Sequence, residues 1–238
     1  MTSYHGGKQR IGKALAEVIV GEIGSFEIKG YCEPFCGMLG VYQNIPELLH
    51  DPNIEYKAGD INESVVKMWK AAQTGWTPPT TYSEKQYNRL KVSKSTSAVK
   101  GFIGHQLSYG GIFFGGYAPL YGGSASSVKQ SIKVKKIAEK LGHVVFTPGS
   151  YTQFSDLKGY VIYCDPPYVG TQCKYKGGRF NTKAFTEWCV MMAKDNIVFL
   201  SEYTSPDGNV SEVYSSKSKP RPLGKSEASG TEKLFMYH

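Results

Sequence analysis

Apolar residues recur along this chain with two periods, and the switches between them mark an alternation of strands and helices. Ile11, Leu15, Val18 and Ile19 fall at helical spacing. Short β-rich runs at Gly30–Glu33, Ile54–Ala58, Val144–Phe146, Val161–Cys164 and Ile197–Leu200 predict strands, and Lys233–Tyr237 reads as a closing one. Helical patterns fill the gaps at Asn62–Ala72, Glu84–Val92, Ser97–Leu107 and Ser126–Leu141, and again around Phe185, Trp188, Cys189 and Met192. In Ser126–Leu141 the spacing predicts Val128, Ile132, Ile137 and Leu141 facing inward, with Lys129, Lys133, Lys135, Lys136 and Lys140 facing water. Strands alternating with helices predict an α/β fold with a Rossmann-like, mainly parallel sheet.

Two stretches interrupt the alternation. Between 108 and 123, glycine pairs at 110–111, 115–116 and 122–123 are interleaved with Tyr109, Phe113, Phe114, Tyr117 and Tyr121. So much glycine forms neither a regular helix nor an ordinary central strand. Such a loop suits either close packing or the insertion of rings into a distorted duplex. The other stretch, Thr204–Thr231, is polar and rich in Ser, Lys, Gly and Pro, and its length predicts partial disorder or ordering by a partner. The expected division is a main domain from 1–80 and 142–238, with an inserted, mainly helical lobe at 81–141.

Chemistry gathers where predicted strands stop. Val161-Ile162-Tyr163-Cys164 runs straight into Asp165-Pro166-Pro167-Tyr168. Two prolines stiffen that turn and hold the acid and the tyrosine at the carboxyl end of a strand, the edge where open α/β sheets bind ligands. Glu33-Pro34-Phe35-Cys36-Gly37 ends an earlier strand in an acid and a glycine turn, without the spacing of a GxGxxG fingerprint. Asp60-Ile61-Asn62 ends the next, where a carboxylate serves either a ribose diol or a helix N-terminus. Ahead of the first helix stands Tyr4-His5-Gly6-Gly7-Lys8, a glycine pair that leaves helix N–H groups open to an anion or serves simply as a turn.

These segments, in this order, resemble the motifs of adenine-N6 DNA methyltransferases of the Dam-like α group, and the resemblance covers nearly the whole chain. It implies S-adenosylmethionine as cofactor, held by Tyr4, Gly6, Gly7 and Lys8, by Glu33, Pro34, Phe35, Cys36 and Gly37, by Asp60 and Ile61, and by Phe154 and Asp165. Gly37 would leave room for a cofactor lying across its turn, and Ile61 would lie against the cofactor's adenine. The catalytic set implied is Asp165, Pro166, Pro167 and Tyr168. The Asp165 carboxylate and the Pro166 carbonyl accept the two hydrogens of an extruded adenine amine, and the Tyr168 ring stacks on the base. Ser108, Tyr109, Gly110, Gly111, Ile112, Phe113 and Phe114 correspond to the family's DNA-probing loop. The Asn and Arg that GATC enzymes carry there are replaced by Gly110 and Phe114, which leaves GATC specificity unsupported.

Composition fits this partner. A net charge of +8 beside 17 Tyr and 11 Phe suits double-stranded DNA. Lys129 and Lys133 are candidates for backbone contact or for a solvated face, and Lys174 and Lys176 sit in a basic segment, Val169–Phe180, expected to act as a flap over the flipped base. Five cysteines without a CxxC pair, and five scattered histidines, predict packed, reduced thiols and no metal site. No apolar run is long enough for a bilayer, and the N-terminus lacks a signal-peptide core, so a cytoplasmic protein of a bacterial or phage-infected cell is expected, and a monomer is expected because nothing in the pattern demands a dimer. Cytosine-N4 methylation, RNA adenine-N6 methylation and a catalytically inactive DNA-binding module are the alternatives left open.

Overall fold

The computed structural model describes residues 4–118, 124–168, 180–217 and 231–238, without the side chains of 124–127 and 217. Its centre is a seven-stranded sheet of β1 (Gly30–Glu33), β2 (Glu55–Asp60), β3 (Val145–Pro148), β4 (Tyr160–Cys164), β5 (Ile197–Glu202), β6 (Val210–Lys217) and β7 (Thr231–Tyr237). The order across the sheet is β3-β2-β1-β4-β5-β7-β6. The first five run parallel, while β7 lies antiparallel to both β5 and β6. Chain order reverses between β1 and β4, which opens a crevice at their carboxyl ends.

Strand alternation sorts the core into two layers. Tyr31, Tyr163 and Phe199 face a cluster with Leu15, Ala16 and Ile19 of α1 (Gly12–Ile23) and with Val65, Val66 and Trp69 of α3 (Glu63–Gln73), α2 being the short Ile45–Leu49. Cys32, Ile162, Cys164, Val198 and Leu200 face the opposite layer, filled by Phe185, Trp188, Cys189 and Met192 of the helix Thr182–Met192.

Of the inserted helices α4 (Glu84–Val92), α5 (Ala98–Gln106) and α6 (Ser124–Lys140), α5 and α6 pack on α3 and α4 packs on α5, and all three share the core cluster of α3. A Cβ on Gly101 of α5 would lie 2.1 Å from the Ser64 backbone oxygen, so the two helices meet backbone to backbone there. Ser131 of α6 donates to the Pro78 carbonyl at 2.6 Å, and Gln73 of α3 donates to the Leu141 and Val144 carbonyls. The buried stripe of α6 is Ser131, Val134, Ile137, Ala138 and Leu141. Ile137 and Leu141 are buried as expected, while Val128 and Ile132, expected inside, are exposed, and Ser131 and Val134 take the inward row instead, with Ser131 satisfied by its bond to Pro78.

Thr204–Thr231 holds a strand that its polar composition did not predict. Its first half contains β6, which pairs with β7 from Val210 to Lys217, while residues 218–230 lie outside the described ones. Among the described residues no helix is long and apolar enough to cross a membrane.

Candidate active site

Three strands deliver acids to one edge of the sheet. Glu33 ends β1, Asp60 ends β2, and Asp165 follows β4 directly. The turn after β1 is locked from both sides. Cys36 N–H donates to the Gly59 carbonyl at 2.8 Å, and the indole N–H of Trp69 donates to the Gly37 carbonyl at 2.9 Å. Gly37 has φ +43°, and a Cβ there would come within 2.8 Å of the Tyr4 ring. Glycine is therefore demanded both by the backbone and by close approach. Pro34 and Cys36 are buried in this turn, and Phe35 stacks on Tyr151 at 5.7 Å and meets Phe185 edge-on.

Asp60 spans the gap between β1 and β2. One carboxylate oxygen accepts from Gly37 N–H at 3.0 Å, and the other accepts from Asn62 N–H at 2.7 Å. The N-cap of α3 is Asn62, whose side chain accepts from Ser64 N–H, so Asp60 is not spent on capping. Burial pushes its carboxyl up to about 6, against the opposing pull of the two backbone N–H groups. Ile61 beside it is 49% exposed, an apolar ledge at the rim of the crevice.

Across the switch point, Lys8 reaches Asp165. Its ammonium lies 2.6 Å from Asp165 Oδ1, 3.4 Å from Glu232 Oε1 and 3.2 Å from the Gly6 carbonyl, and it sits 4.7 Å from the centre of the Tyr168 ring. Burial would lower the lysine pKa, but the charges of Asp165 and Glu232 overcome it and hold the group above its ordinary range. The Tyr168 hydroxyl donates to Glu232, and its ring meets Tyr203 edge-on at 4.6 Å. Pro166 is buried, while Asp165, Pro167 and Tyr168 are partly exposed. Glu33 lies behind this group with its carboxylate accepting from Tyr31 at 2.8 Å, and burial holds it well above the usual carboxylate range. The edge thus presents one acceptor pair at Asp60 and a second, lysine-bonded acid at Asp165.

The structure therefore brings together Tyr4, Gly6, Lys8, Glu33, Gly37, Asp60, Asp165 and Tyr168, with Gly7 half-buried between Gly6 and Lys8. Phe154 stands apart. Its ring packs on Gly59, is only 5% exposed and belongs to the second core layer. The loop after α5 is only partly available to a partner. Ser108 is buried between Tyr87 and the Gly104 carbonyl, Phe114 is buried against Tyr87, and Phe113 packs on His105 and Phe114. Gly110 and Gly111 form a tight turn whose exposed side chains are its neighbours Tyr109 and Ile112. Phe114 is thus held in the core, and Phe113 is half-buried beside it. Lys129 is exposed and Lys133 half-buried on α6, while Lys174 and Lys176 lie outside the described residues with all of the expected flap at 169–180 but Phe180, whose ring packs on Phe35 and Phe185. Cys32, Cys36, Cys164 and Cys189 are free and buried, and no metal-binding cluster occurs among the described residues.

Sequence reasoning missed Glu232 and Tyr203. Both reach the site through the order of the strands, a property no local pattern carries.

The sheet order and its antiparallel seventh strand define a Rossmann-like sheet of the methyltransferase type, the fold class expected from the sequence. No protein-family model matches the chain, and no curated protein is similar to it in sequence. Solved structures similar to it include the rRNA methyltransferase aviRa from Streptomyces viridochromogenes, at 10% identity and TM-score 0.40, over 94% of this chain and 84% of that one. Another is precorrin-6y C5,15-methyltransferase from Geobacter metallireducens, at 9% identity and TM-score 0.39, over 94% and 89%.

Proposed function

We propose that this chain is a site-specific DNA adenine-N6 methyltransferase. The observation that carries the reading is Asp165-Pro166-Pro167-Tyr168 at the end of β4, facing the Gly37–Asp60 cleft across the switch point. The cleft fits S-adenosylmethionine. Asp60 is a buried carboxylate with two of its roughly four acceptor positions used by backbone, which leaves capacity for a ribose diol. Ile61 offers an exposed apolar ledge for an adenine ring, and the Gly37 turn lets a ligand approach the backbone. When bound, S-adenosylmethionine supplies an electrophilic methyl on a sulfonium that departs as a neutral thioether.

The protein's own residues prepare the amine. An exocyclic amine has its lone pair drawn into the ring. Two fixed acceptors, Asp165 and the Pro166 carbonyl, hold its hydrogens and turn the lone pair toward the methyl. The nitrogen gains a methyl and gives up one proton, which leaves to solvent by way of Asp165. Tyr168 supplies the aromatic face on which an extruded base stacks. Asp165 need not be a strong base, because the proton departs after the new bond has formed. The net charge of +8 and exposed Tyr109, Ile112 and Lys129 fit a duplex partner.

Mapping of modified bases in plasmid DNA and in RNA from cells expressing the chain tests this directly. N6-methyladenine in a fixed DNA sequence context is the expected result, and it should vanish with Asp165→Ala while that variant keeps its fold. N4-methylcytosine, methyladenine confined to RNA, or normal methylation by a folded Asp165→Ala protein would each overturn the reading.

A further inference from the structure

Glu232 is the second residue of β7 and lies 64 positions from Tyr168. It arrives at the catalytic edge because β7 runs antiparallel. Lys233 pairs with Glu202 at the carboxyl end of β5, so the beginning of β7, and not its end, lies beside Tyr203 and Asp165. A parallel strand in that place would have put Glu232 at the opposite edge. Strand alternation sets Glu232 on the same face as Leu234, which is fully buried in the core cluster of α1 and α3. Glu232 itself is only 6% exposed.

A carboxylate at such a position costs free energy that an apolar side chain would not. What it obtains there are two specific partners. It accepts from the Tyr168 hydroxyl and lies 3.4 Å from the Lys8 ammonium. Lys8 in turn divides its donors among Glu232, Asp165 Oδ1 and the Gly6 carbonyl. Among the described residues, no donor is bonded to Asp165 Oδ2.

Resting on the methyltransferase reading above, we propose that Glu232 is a positioning residue for methyl transfer. It fixes the plane of the Tyr168 ring through the hydroxyl, and it holds Lys8 against one oxygen of Asp165 so that the other oxygen meets the target amine. Tyr203 meets the Tyr168 ring edge-on at 4.6 Å and braces it from the side. Glu232 touches neither base nor cofactor. Its effect passes entirely through Tyr168 and Lys8.

The test is steady-state transfer of labelled methyl from S-adenosylmethionine to duplex DNA by the full chain and by Glu232→Gln, Glu232→Asp, Tyr168→Phe and the Glu232→Gln/Tyr168→Phe pair. Glu232→Gln is expected to lower kcat by about 100-fold, the scale of an angstrom-level misplacement, with the KM for cofactor changed by no more than about twofold. Glu232→Asp should recover part of kcat, since the charge survives on a shorter arm. In the Tyr168→Phe background the same Gln substitution should cost much less, because the hydroxyl it acts through is gone. Turnover of Glu232→Gln equal to wild type, or full additivity with Tyr168→Phe, overturns the role of Glu232. Should Glu232→Gln fail to fold, Glu232→Asp with wild-type melting carries the same comparison, and unchanged kcat there overturns it. A wild-type protein that methylates no DNA refutes the underlying methyltransferase reading instead, and the two failures are told apart by that first measurement.

Discussion

If Asp60 holds the ribose diol, as proposed above, cofactor affinity should depend on pH with a midpoint near that of its carboxyl. Buried at 7% exposure, its carboxyl is raised from 3.8 to about 6. A diol donates to a carboxylate and not to a carboxylic acid of the same capacity, so the ionised form is the one that binds. In the free protein the ionised fraction is nearly complete at pH 8, half at about pH 6 and about one-tenth at pH 5. The dissociation constant for S-adenosylmethionine should therefore be flat above about pH 7 and rise about tenfold by pH 5. Binding below the midpoint should release a proton, visible as a buffer-dependent heat.

The same shift has a sign for stability. Because the folded pKa is raised, the contribution of this group is fully present below 3.8 and is lost as pH rises through about 6. The free protein carries a cost of about 3 kcal/mol at neutral pH, which the ligand's hydroxyls offset on binding. Asp60→Ala removes the charge but also orphans the Gly37 and Asn62 N–H groups, at about 1–3 kcal/mol each, so its melting temperature should move little. Its affinity should fall by about 100-fold, from two lost charged hydrogen bonds, and lose its dependence on pH between 5 and 7. Isothermal titration at pH 5, 6, 7 and 8, with circular dichroism to confirm folding at each, provides the comparison. A wild-type constant that stays level to pH 5, or an Asp60→Ala constant that rises in parallel with it, would refute the assignment of Asp60 to the cofactor.

Two further substitutions probe the helical insertion. Gly101→Ala forces a Cβ to within 2.1 Å of the Ser64 carbonyl oxygen, a contact with backbone that no rotamer relieves. It should cost about 3 kcal/mol and lower the melting temperature by about 6–12 °C, read in a thermal scan. A melt within a degree of wild type would mean that α5 and α3 do not meet as described. Tyr109→Ala, at a residue 59% exposed on the loop after α5, should leave the melting temperature alone and weaken binding to duplex DNA, measured by fluorescence anisotropy. Unchanged affinity would remove Tyr109 from the interface.

The division between what local sequence revealed and what it hid follows the range of the forces involved. Asp165-Pro166-Pro167-Tyr168, the Glu33–Gly37 turn and Asp60 were legible because each is a strand end followed by a stiff or glycine-bearing turn, and a turn is written in a few adjacent residues. The strands β1, β4 and β5 were legible because burial on both faces leaves a largely apolar run. β6 was not, since Val210-Ser211-Glu212-Val213-Tyr214-Ser215-Ser216 is an edge strand with a solvated face, and its extended form comes from pairing with β7 rather than from its own propensity. The inward place of Ser131 on α6 was hidden because its partner, the Pro78 carbonyl, is 53 residues away. Phe113 and Phe114 were misleading for a related reason. Rings in a glycine loop look available until the partners that bury them, His105 and Tyr87, are brought alongside by the packing of α4 on α5. Glu232 is the extreme case. Nothing in Thr231-Glu232-Lys233-Leu234 distinguishes it from a solvated strand position, and only the reversal of the last strand turns it toward Lys8 and Tyr168. Motifs mark the groups that meet substrate; the groups that hold those in place are chosen by topology, and in this fold the antiparallel strand is the element able to supply one from the chain's other end.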